Sequence, residues 1–78
     1  AIIYGVQKKE QIMKNRIRVV RAEVRMTQQQ LADATGVSRQ TINAIESGKF
    51  VPSTLLALKI AATFGLRVED IFSLEDGD

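Results

Sequence analysis

Apolar residues recur at helical rather than strand spacing along most of the chain. Ile12 or Met13, then Ile17, Val20 and Val24, recur at helical spacing, three or four apart from Met13 on, up to a stop before Met26. That spacing predicts a first helix from about Asn15 to Arg25, with room to extend back toward Lys9. Thr27 with Gln30 three residues later is a Thr-x-x-Gln capping box, so a second helix begins near Gln28. Leu31, Ala32 and Thr35 give it one apolar or small side, and Gly36 stands where a helix stops in the left-handed conformation. Ser38 is a second N-cap, and the i, i+3 pair Ile42 and Ile45 forms the inner side of a third helix from Arg39 to about Ser47, closed by Gly48. Pro52-Ser53 opens a fourth helix whose stripe is Leu56, Ala57, Ile60, Ala61 and Phe64, ending at Gly65. Val68 to Phe72 reads as a short fifth helix with Glu69 and Asp70 favourably in its first turn. The expected fold is all-α, a compact five-helix domain.

The stretch from Thr27 to Lys49 is the most specific part: cap, helix, glycine, cap, helix, glycine. With Ile42 and Ile45 turned inward, the third helix presents Gln40, Asn43, Ala44 and Ser47 outward, with Arg39 on the flank of its first turn. An ordinary solvated face carries more Glu and Lys. Arg, Gln and Asn have the paired donors and acceptors that fit guanine and adenine edges, so this face is either a base-reading surface or a polar surface helix.

Composition narrows the chemistry. The 78 residues allow one domain, 45% of them are hydrophobic and only 5% aromatic, which suits a small helical core. There is no Cys and no His, which removes disulfides, Cys/His zinc sites, thiol nucleophiles and imidazole acid–base work. With no phosphate-binding glycine loop and no H-E-x-x-H either, no enzyme activity, cofactor, metal or small-molecule ligand is expected. The net charge is only +2, but Lys8 to Arg25 holds seven basic and two acidic residues, whereas Glu69 to Asp78 holds five acidic and no basic ones. A basic front half suggests a phosphate-facing surface and the acidic end one kept away from phosphate. The longest apolar runs are a few residues, so neither a membrane span nor a secretory signal is expected and a cytoplasmic location is the expectation.

From Met13 to Leu74 the sequence resembles the Cro and lambda-repressor-like (Xre-like) helix-turn-helix family. The resemblance rests on Thr27-Gln28, Leu31-Ala32, Gly36-Val37-Ser38, Ile42, Ile45-Glu46, Gly48-Lys49, Pro52, Leu58 to Ala61, Phe64-Gly65 and Ile71-Phe72. It implies a sequence-specific regulator of transcription, a repressor in the first instance, that binds double-stranded DNA as a homodimer with its third helix in the major groove. Arg39 and Gln40 are the expected base readers, with Ser38 beside them and Ala44 limited to a thymine methyl. Gln28, Arg16, Asn43, Ser47 and Lys49 are the expected phosphate contacts. In the family an arginine and a glutamate at the positions of Arg21 and Glu46 pair behind the DNA-facing surface; otherwise they are two unrelated surface charges.

Residues 1–12 stand outside the resemblance. Met13-Lys14-Asn15 looks like the start of many family members, so the first twelve residues, AIIYGV among them, are expected to be an appended or read-through segment, or else an arm that adds a strand to a partner. Residues 75–78 form an acidic tail. Leu55, Leu58, Ile71, Phe72 and Leu74 exceed what one core needs and are the expected dimer seam, unless the fifth helix only caps the monomer. The alternative function is an antitoxin-like or partner-recruiting module that uses the same fold to bind protein.

Overall fold

The structure is a computed structural model that describes residues 13–74. The expectations for residues 1–12 and 75–78 lie outside the described residues. Strand β1 (Met13–Asn15) leads into helices α1 (Ile17–Glu23), α2 (Gln28–Thr35), α3 (Arg39–Glu46), α4 (Thr54–Phe64) and α5 (Val68–Ile71), and the chain returns as β2 (Phe72–Leu74). The capping signals act where the sequence places them. Thr27 and Gln30 form the reciprocal box, and the hydroxyls of Ser38 and Ser53 accept from the N–H groups of Thr41 and Leu56. Each cap of this kind is worth about 1 kcal/mol to its helix.

Two corrections arise at the ends of the fold. The domain is helical but not all-α, because β1 and β2 pair antiparallel with Met13 opposite Leu74 and Asn15 opposite Phe72. Asn15 therefore does not begin α1. Its side-chain carbonyl accepts from the N–H of Ile17 at 3.1 Å while its amide donates to the Ile45 carbonyl at 2.9 Å, so it satisfies the first N–H of one helix and ties the strand to the end of another. Phe72 does not extend α5: its backbone is extended, at φ −113° and ψ 143°. Consecutive residues on a helix point 100° apart. Leaving the helix after Ile71 lets both Ile71 and Phe72 enter the core, where both are buried.

That core joins Ile17, Leu31, Ala32, Ile42, Ile45, Leu56, Ala57, Ile60, Ala61, Ile71 and Phe72. It packs the inner faces of α2 and α3 against α1, α4 and α5, and so fixes which side of α3 looks outward. Helix α1 is shorter than its apolar spacing suggests. It ends at Glu23, and Val24, expected in the stripe, is 54% exposed. The turn is made by Arg25, a non-glycine residue at φ 58°, with the Met26 N–H donating to the Arg21 carbonyl at 2.9 Å. A side chain in the left-handed region costs about 1–2 kcal/mol, partly offset by the smaller unfolded-state entropy it has relative to glycine. Arg25→Gly is therefore expected to raise stability by about 0.5–1 kcal/mol in urea unfolding; a loss would show that the Arg25 side chain makes a compensating contact.

Candidate nucleic-acid interface

Helices α2 and α3 meet at a hydrogen-bonded network whose inner end is Glu46. The Glu46 side chain has no exposed surface, yet it is fully partnered. Arg21 donates to both carboxylate oxygens, Nε to Oε2 at 2.6 Å and Nη2 to Oε1 at 3.1 Å, and its Nη1 donates to the Met26 carbonyl at 2.8 Å. This is a two-point guanidinium–carboxylate fork of the strong kind. Burial by itself pushes the Glu46 carboxyl up; hydrogen bonds from Arg21 and Gln28 and the charges of Arg21 and Arg18 more than offset it, so it lies below the ordinary value of 4.5.

Gln28 carries the network from Glu46 to the surface. Its amide Nε2 donates to Glu46 Oε1 at 3.0 Å and lies 3.2 Å from Asn43 Oδ1 as a second acceptor. With the amide nitrogen turned inward to the carboxylate, the Gln28 oxygen must face out, where it accepts from Arg39 Nη1 at 3.2 Å. A buried carboxylate thus settles which way a half-buried amide points, and the amide holds the first residue of α3.

The structure brings Gln28, Arg39 and Asn43 together directly, and Gln40 stands exposed beside them on the outer side of α3. Ser38 is occupied as the cap of α3, and Ala44 is half-buried. The Ser47 hydroxyl donates to the Ala44 carbonyl at 3.2 Å and Lys49 is exposed in the loop after α3. Arg16 is not part of this group. It precedes α1 at the side of α5, where its Nη1 donates to the Asp70 carbonyl at 3.4 Å and its N–H to the Ile71 carbonyl at 2.9 Å. Besides Arg21, α1 brings a second basic residue to the network, Arg18, whose Nε is 3.5 Å from Glu46 Oε1. Helical periodicity puts Arg18 on the outer face of α1 without a role; the signal available was its spacing, one turn before Arg21.

The expected dimer seam divides. Leu55, Leu58 and Leu74 are exposed at 64%, 53% and 67%, with Phe50 and Val51 exposed nearby in sequence. Ile71 and Phe72 belong instead to the monomer's own core, so they cannot also line an open seam. Among the described residues no helix is long and apolar enough to cross a membrane.

A helix-turn-helix family model matches residues 17–71. Over 66 residues the chain is 54% identical to an uncharacterised helix-turn-helix transcriptional regulator of Methanocaldococcus jannaschii, covering 85% of this chain and 100% of that one. A regulator of the same description from Bacillus subtilis is 48% identical over 64 residues, 82% of this chain and 97% of its own. Among solved structures, the clp gene regulator ClgR of Corynebacterium glutamicum superposes with a TM-score of 0.66 at 30% identity, over 69% of this chain and 57% of its own. A protein of Bacteroides fragilis assigned to DNA binding superposes with a TM-score of 0.72 at 34% identity, over 80% of this chain and all of its own, 100%.

Proposed function

We propose that this chain, which belongs to the Cro and lambda-repressor-like helix-turn-helix family of transcriptional regulators, represses transcription by binding operator half-sites in double-stranded DNA as a homodimer. The observation that carries the reading is the network from Arg21 through Glu46 and Gln28 to Arg39. It commits a buried ion pair and an oriented amide to holding the outward face of α3, which a merely solvated face does not need. In the major groove, α3 would enter by its N-terminal end, with Arg39 reaching the O6 and N7 of guanine and Gln40 the N6 and N7 of adenine. The N–H groups of Gln28 and Gln29 have no helical partner in the first turn of α2 and suit a phosphate, with Ser47 and Lys49 on the far side of the groove. Two such domains are needed because one module makes too few contacts to find a single site, and two-fold pairing on half-sites about 34 Å apart raises affinity.

Selection from a random double-stranded DNA pool at fixed salt tests this reading directly. Recovery of a two-fold symmetric motif supports it, and binding with no sequence preference, or none at all, refutes it. On the selected site Arg39→Ala and Gln40→Ala are each expected to cost about 1–3 kcal/mol while leaving binding to random DNA nearly unchanged. An equal loss on both DNAs would remove them as base readers.

A further inference from the structure

The geometry points to Arg18 as a phosphate-binding arm, parked on Glu46 in the free protein and released to the DNA backbone on binding. This rests on the DNA-binding reading above and adds a residue to it. The Glu46 carboxylate bears one negative charge, and Arg21 already answers it with two hydrogen bonds. Gln28 occupies Oε1 as well. Arg18 approaches that same oxygen only to 3.5 Å, outside the distance of a good hydrogen bond, and its side chain is 68% exposed against 14% for Arg21. Two arginines at one acid therefore have different parts. Arg21 is the internal partner, and Arg18 is a surplus cation held by a weak, solvent-screened attraction that is easily given up.

Its position gives the surplus charge a use. Arg18 and Arg39 stand at opposite ends of one short relay, Arg18 to Glu46 Oε1, Oε1 to Gln28 Nε2, and Gln28 Oε1 to Arg39 Nη1. A duplex that places a base edge at Arg39 runs its backbone past the start of α2, where Gln28 lies. Arg18 is the exposed cation that α1 places at the same Glu46 oxygen that Gln28 holds, whereas Arg16 is turned to the Asp70 carbonyl. A guanidinium released from a carboxylate can take a phosphate by the same two-point geometry. Since Arg21 keeps Glu46 satisfied throughout, the exchange leaves no buried charge unpaired.

The test compares the full chain with Arg18→Gln and Arg18→Lys on the selected site and on random duplex over a range of salt. A phosphate contact predicts that Arg18→Gln weakens both DNAs by the same factor and lowers the log–log salt slope by about 0.9 per chain bound, while Arg18→Lys keeps the wild-type slope. Thermal unfolding of Arg18→Gln should match wild type, since the Glu46 pair with Arg21 is untouched. An unchanged slope overturns the assignment, and so does a loss confined to one sequence, which would make Arg18 a reader. Absence of DNA binding by the wild-type chain would instead refute the functional reading, so the two failures are distinguishable.

Discussion

Arg21→Ala is expected to destabilise the domain by about 3–5 kcal/mol, because it removes the main partner of a carboxylate with no exposed surface. In a domain whose whole stability is on the order of 5–15 kcal/mol, that is a large share of the total, and at the lower end of the range it leaves the fold marginal. Urea unfolding followed by helical circular dichroism measures it. A loss below about 1 kcal/mol would mean that Arg18 or water replaces Arg21 at no penalty, and the pair would then be a surface pair in all but geometry. The double replacement Arg21→Met with Glu46→Leu separates stability from function. Replacing both charges by apolar groups commonly restores stability. It also strips Gln28 of the acceptor that orients it, so DNA affinity is expected to stay low in a protein that folds well.

The same pair sets an acid limit. The Glu46 carboxyl lies below its ordinary value of 4.5 in the folded protein, so ionised Glu46 contributes stability that is complete above that value and lost as pH falls through the lowered one. Arg21→Ala removes the hydrogen bonds and charge that hold the carboxyl down while the burial that pushes it up remains. The stability difference between wild type and Arg21→Ala should therefore shrink as pH drops below 4.5. A difference that stays constant into acid would show that Arg21 acts through packing alone.

The parts of this fold legible in the sequence are those that local chemistry decides. Thr27 with Gln30, Ser38, and the glycines after α2 and α4 mark helix ends by bonds within four residues, and all act at the expected positions. Ile42 and Ile45 needed only the helical period to be placed inward, which in turn placed Arg39 and Gln40 outward. The strands were not legible, because a three-residue strand has no period to read and its partner lies at the other end of the domain. Val24 sits in helical register with Val20 but falls beyond the helix, since Arg25 takes the left-handed turn that sequence assigns first to glycine. In the candidate site, Arg18 and Arg16 look alike as outward arginines on one segment. Only tertiary packing decides that one meets Glu46 and the other the end of α5.

Leu55→Glu combined with Leu58→Glu is expected to convert a dimer into a folded monomer and to lower affinity for a two-fold operator by about 100-fold or more, since linking two half-site contacts commonly raises avidity by roughly 10²–10⁴. The inner side of α4 is complete with Leu56, Ala57, Ile60 and Ala61 buried, yet Leu55 and Leu58, one turn apart, are exposed at 64% and 53% on another side. Val51, four residues before Leu55, is exposed as well, and so is Phe50. Leucines at positions of this kind add nothing to the monomer core, and exposed leucines one turn apart on a helix favour a self-complementary contact across a two-fold axis. Ile71 and Phe72 are excluded from that contact by their burial, which narrows the proposed seam to its exposed members, with Leu55 and Leu58 at the start of α4. Because the seam would lie just after the loop that ends α3, pairing there fixes the distance between two α3 helices and hence the half-site spacing. Sedimentation equilibrium of wild type and the double variant measures the mass, and helical circular dichroism checks folding. A folded variant that remains dimeric and binds its operator unchanged would refute this seam; a folded monomer that still binds half-site DNA with wild-type sequence preference is the expected result.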